Sequence, residues 1–205
     1  MVRRTWLAAS TLAVVLLIAS DVGVSDERET VATAVAAKSL VTATTPVRVL
    51  HRSLTIDGDF ELFTKALEKI LGRFPEGVQQ DIIERPKLAE QRLKAAEGAQ
   101  QLMIFLIFDH GAALNMVGAR RHAKQYLIGN PLTAIQMSQH DIRAALYAPL
   151  RVLVYEKGTG QTAVEYDQPS SLFGQFGRKE VTDVALSLDT KLERAIEEAA
   201  ELARR

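Results

Sequence analysis

Residues 102–166 hold three apolar runs, LMIFLIF at 102–108, YLI at 126–128 and LRVLVYE at 150–156, followed by the alternating run QTAVEY at 161–166. Each is too short for a typical helix and rich in β-branched or aromatic residues, which predicts strands. The first is so uniformly apolar that it reads as a central strand covered on both faces. The last two flank Lys157-Gly158-Thr159-Gly160, where the glycines supply tight-turn geometry, so they read as a hairpin. A chain with this centre is committed to a sheet, and a single sheet needs helices to hide its apolar face.

The flanking sequence supplies those helices. Residues 47–56 read as a first strand, bounded by Pro46 and Asp57-Gly58, and Asp59 is placed to cap a helix carrying Phe60, Phe63, Leu67 and Ile70 at helical spacing. Gly72 and Pro75 stop that helix. Residues 77–98 differ in texture, being polar with few large apolar residues, among which Leu88, Leu93 and Ala96 could form a thin stripe. They read as an insertion lying over the domain edge, or as a lid. Residues 131–139, 141–147 and 170–176 form short helical pieces. Residues 180–204 are the clearest periodic element, with Val181, Val184, Leu188, Leu192, Ile196, Ala199 and Leu202 on one face. That face covers the sheet or forms a dimer contact, and the outer face offers the four-residue pairs Arg194–Glu198 and Glu201–Arg205. The expected class is α+β: a small mixed or antiparallel sheet of about four to five strands packed against helices, with a long C-terminal helix.

Arg3 and Arg4 precede an apolar run at 7–19 that is short for a membrane span and suits a secretory signal. Residues 1–25 are therefore expected to be a signal peptide or an uncleaved anchor, 26–46 a linker and 47–205 a single domain. The protein is expected to be exported, periplasmic or extracytoplasmic, with any membrane attachment through its N-terminal segment. The 205 residues are 47% hydrophobic and 24% charged, with zero formal net charge, the balance of a globular domain. No basic stripe points to nucleic acid. The absence of cysteine excludes disulfides, thiolate metal sites and a cysteine nucleophile.

Candidate chemistry sits where strands end. Asp109 and His110 close the first apolar run, in the position where α/β sheets place ligand crevices. Adjacent strand residues point to opposite faces, so Asp109 cannot orient the His110 ring as a triad carboxylate does. Asn130, between Gly129 and Pro131, is an N-cap whose helix start could also receive an anion. If the strands before Asp109 and Asn130 are parallel neighbours, both features face one ligand. Glu156 ends the third run. The histidines His51, His110, His122 and His140 show no ligand-pair spacing, so neither metal nor other cofactor is expected. Arg120-Arg121-His122-Ala-Lys124 reads as a solvated basic loop.

Together, Asp109-His110 ending an apolar strand, Gly129-Asn130-Pro131, residues 149–156 (PLRVLVYE) before a hairpin, and Tyr166-Asp-Gln-Pro169 after it resemble the domain-of-unknown-function 302 family. The resemblance runs from about Val47 to the C-terminus and departs from the family pattern in the long insertion near residues 73–100. It implies a small α+β fold that associates as dimers and has no settled activity. The functional expectation is a non-enzymatic, homodimeric module binding a small acidic or aromatic ligand near Asp109, His110, Asn130 and Glu156. The alternatives are an enzyme using His110 as general acid/base, helped by Glu156 or a partner's Asp109, and a membrane-anchored structural envelope protein.

Overall fold

The computed structural model describes residues 42–158 and 160–205. The expected signal peptide and residues 26–41 of the expected linker lie outside them. Residues Thr44–Arg205 form one compact unit. Residues 42–50 are exposed and carry no regular structure, so the first strand, β1, begins at His51 rather than Val47 and runs His51–Asp57.

The remaining elements follow in chain order: α1 Phe60–Ile70, β2 Gly72–Arg73, α2 Val78–Glu84, α3 Pro86–Ala95, β3 Met103–Asp109 and α4 His110–Leu114. Then come β4 Ala123–Gly129, α5 Pro131–Ser138, β5 Leu150–Gly158, β6 Gln161–Asp167, α6 Pro169–Phe173 and α7 Lys179–Ala203. The six strands order β1-β6-β5-β4-β3-β2, antiparallel except for β2 beside β3. The architecture is α+β with a mixed sheet, as expected. The sixth strand is β2, two residues that the sequence shows only as a helix stop.

Helices α1 and α7 pack on one face of the sheet. Asp59 caps α1 through its carboxylate, which accepts the Leu62 N–H at 3.0 Å. Phe63 and Leu67 of α1, Leu188, Leu192 and Ile196 of α7, and Tyr126, Ile128, Val152, Val154 and Val164 of the sheet share one core. Each large buried side chain contributes roughly 1.5–3 kcal/mol relative to exposure. The long helix is therefore sheet cover. Its expected ion pairs do not form; Glu198 instead accepts a hydrogen bond from Gln100 at 2.6 Å.

Among the described residues the other face has no helical layer over β3–β6. Leu106 pairs across to Leu127, Arg151 and Asp167 in one row, and Phe108 to Gln125, Leu153 and Glu165 in the next. Leu106 is 54% and Phe108 49% exposed. The strand that reads as covered on both faces is thus covered on one, because helices α2 and α3 reach only its start. There Val78, Ala89 and Leu93 bury Met103 in a second, small core.

Glycines set that corner. Gly72 and Gly98 abut so closely that a Cβ on Gly98 would fall 2.1 Å from the Gly72 nitrogen, and one on Gly72 1.8 Å from the Ala96 carbonyl oxygen. The turn that follows holds Gln100 and Gln101 at φ 56° and 61°, left-handed backbone that non-glycine residues adopt at a cost.

Candidate functional site

Antiparallel pairing of β3 and β4 decides where the candidate residues go. Asp109 lies opposite Lys124 and Met103 opposite Gly129. Asp109 and Asn130 therefore sit at opposite ends of the sheet, roughly 20 Å apart at about 3.3 Å per strand residue. Glu156, whose N–H donates to the His122 carbonyl at 3.0 Å, lies at the Asp109 end. The single rim expected to gather Asp109, His110, Asn130 and Glu156 does not form, because the two strands run in opposite directions.

At the first end, Asp109 caps α4, its carboxylate accepting the Ala112 N–H at 2.7 Å. His110, half-buried, sets its ring edge-on to Phe108, with centroids 4.6 Å apart. Among the described residues no carboxylate bonds to the His110 ring, the contact that acid/base chemistry there requires. Glu156 is exposed. A cleft of about 390 Å³ lies beside Asp109, lined also by Glu61, Asn115, Arg120, Arg121, His122 and Lys124.

At the second end, Asn130 is 6% exposed and committed to structure. Its side-chain oxygen accepts the Leu132 N–H at 2.8 Å, and its amide donates to Glu97 at 2.7 Å and to the Gln101 carbonyl at 2.9 Å. Its own carbonyl accepts the Ala134 N–H at 2.9 Å. Pro131 has no N–H to give. The helix start so occupied offers little to an anion.

Behind this cap lies an apolar cavity of about 250 Å³. Phe105, Ile128 and Leu150 form its sheet wall, Ala134 and Met137 its α5 wall, and Phe173 and Leu188 its floor from α6 and α7. Small side chains leave the space open: Gly129, Ala134, Ala144, Ala145 and Ala148 all line it. Among the described residues no charged one does, and beyond Asn130 the polar side chains are the hydroxyls of Thr133 and Ser138.

Two polar clusters were not visible in the sequence. On the open face, the His51 ring meets Asp167 at 3.1 Å and Glu165 at 3.2 Å, and Glu165 accepts the Tyr155 hydroxyl at 2.8 Å. On the helix face, Glu68 of α1 accepts from Lys124 at 3.2 Å and from Tyr126 at 3.0 Å. Burial opposes ionisation of Glu68, but the Lys124 and Tyr126 hydrogen bonds hold its carboxyl below the usual range. Burial and the Glu68 charge push the Tyr126 phenol far up. Their partners lie too far apart in sequence for spacing to reveal: 114 residues separate His51 from Glu165. Among the described residues no group of three or more His, Asp or Glu is arranged to hold a metal ion, and no helix is long and apolar enough to cross a membrane.

A family model described as a domain of unknown function, DUF302, matches residues 83–199, beginning inside the segment that reads as an insertion. The crystal structure of an uncharacterized conserved DUF302 protein from Bacillus stearothermophilus superposes with a TM-score of 0.52 at 14% identity. That match covers 73% of this chain and 97% of the other, and it shows a shared fold. No curated protein matches the chain.

Proposed function

The chain belongs to the DUF302 family, and on that premise we propose that it is a non-enzymatic binding module taking a small, largely apolar ligand in the cavity behind Asn130. The observation that carries this reading is a space of about 250 Å³ walled by apolar side chains at the end of a sheet. Apolar cavities of roughly 150 Å³ already accept benzene, so this one has room for a larger aromatic or a short acyl chain. Binding pockets of this kind combine apolar walls with a few polar groups that fix orientation, here the hydroxyls of Thr133 and Ser138. Of the acidic and aromatic ligands suggested by sequence, the aromatic suits the lining better, because none of the described residues that line the space is a cation.

The test is fluorescence titration of the full chain with N-phenylnaphthylamine, a neutral aromatic that brightens in apolar surroundings. The expected result is saturable binding that falls at least about tenfold in Ala134→Phe, whose ring fills the cavity, with circular dichroism unchanged. Equal binding by the wild type and a folded Ala134→Phe would overturn the proposal. We further propose export, on the Arg3-Arg4 and 7–19 pattern; recovery of the protein from the cytoplasm alone on fractionation would refute that.

A further inference from the structure

The connection between β3 and β4 is far more than a hairpin turn. It carries α4, then a 3₁₀ turn at Asn115–Val117, then a stretch back to Ala123. Its tip is a closed loop: the Gly118 N–H donates to the Asn115 carbonyl and the Ala119 N–H to the Leu114 carbonyl, both at 3.1 Å. At that tip Met116 is 85% and Val117 77% exposed. The neck is fixed, since a Cβ on Gly111 would sit 2.3 Å from the Arg121 carbonyl oxygen. The tip is therefore held out on a firm base.

Charge at the neck is positive and in part uncommitted. Lys124 pairs with Glu68 at 3.2 Å, and the His122 ring lies 3.8 Å from Glu61. The Asp109 carboxylate faces the same cleft and caps α4. Arg120 and Arg121 are exposed, and among the described residues neither pairs with a carboxylate. Two exposed apolar side chains beside two free guanidinium groups match the apolar boundary and the phosphates of an anionic lipid surface.

We propose that this loop is a peripheral membrane contact, Met116 and Val117 entering the boundary between headgroups and acyl chains while Arg120 and Arg121 bind lipid phosphates. This contact is separate from any N-terminal anchor, and it stands whether or not the cavity binds a ligand. Burying each apolar side chain favours the membrane-bound state roughly ten- to a hundredfold. Each arginine adds roughly fivefold on an anionic surface.

The chain contains no cysteine, so a polarity-sensitive fluorophore on Val117→Cys reports that position alone, even if residues 1–25 tether the full chain to the same vesicle. The expected result is a blue shift on phosphatidylglycerol vesicles, much weaker on phosphatidylcholine vesicles. The apparent affinity should fall at least about tenfold when Arg120→Ala and Arg121→Ala are added, and fall likewise in high salt. Label on Ile83→Cys, a position 80% exposed at the far end of the chain's α2, should not shift. The proposal is overturned if the label at 117 keeps its aqueous emission on phosphatidylglycerol. It is equally overturned if neutral vesicles, or the double arginine variant, give the same response as the wild type on anionic ones.

Discussion

Asp167 and Glu165 flank His51 on its two ring nitrogens, and that placement fixes the sign of its response to pH. The Asp167 and then the Glu165 hydrogen bond raise the imidazole above its ordinary 6.5. Its contribution to stability is therefore complete below 6.5 and is lost as pH rises through the folded value. Glu165 is held below the carboxylate range by the Tyr155 hydroxyl, against desolvation, and by His51. It contributes above the ordinary carboxylate value and loses that contribution as pH falls through the lowered one. The cluster is most stabilising in mild acid. His51→Gln is expected to flatten stability against pH between about pH 6 and 8, read by urea denaturation across that range. An unchanged slope would show that His51 titrates alike in the folded and unfolded chain. Sequence reading found Asp59 and Asn130 as caps because a cap is a local bond to an N–H two or three residues on. It missed His51, whose partners come from another strand.

Strands and helices were legible for the same reason: periodicity and turn chemistry are local. The apolar runs, the glycine hairpin and the C-terminal amphipathic helix all appear near their expected places. What local pattern cannot carry is direction and close approach. The β2 strand has two residues and forms only because Gly72 and Gly98 let backbone meet backbone. Substituting Gly98→Ala is expected to destabilise the fold by about 3 kcal/mol, the upper part of the range for overpacking, since its new methyl would press on main chain rather than on a side chain that can swing away. Chemical denaturation measures this, and a loss under about 0.5 kcal/mol, the scatter of neutral surface changes, would mean that the corner relaxes. The same corner keeps Gln100 and Gln101 in left-handed backbone. Lys191 and Asn130 bond Gln101 there, at 2.7 Å to its side chain and 2.9 Å to its carbonyl.

At the scale of the molecule, a sheet that the described residues cover on one side leaves Leu106 and Phe108 exposed beside a charged half made of Arg151, Glu165, Asp167 and His51. We propose that a second copy covers this face, as the family resemblance implies. It carries both signs of charge and so can oppose itself across a two-fold axis. Sedimentation velocity is expected to find a dimer that Phe108→Glu weakens at least about tenfold, since a buried unpaired carboxylate costs more than the ring contributes. A monomeric wild type, or a variant that dimerises as well, would remove the idea. The shared ligand rim failed at this scale too. Each strand end was placed well enough, but whether Asp109 and Asn130 meet depends on strand direction, which apolar runs of either sense share.

The sheet order has one further effect. β1 pairs along its whole length with β6, so His51 waits for Asp167, 116 residues later. A ribosome delivers the first strand long before its neighbour exists. The other antiparallel strands can zip as successive neighbours while β1 stays loose, and closing so long a loop is slow. Ordering of β1 thus has to wait for β6, while α6 and α7 still follow in the chain.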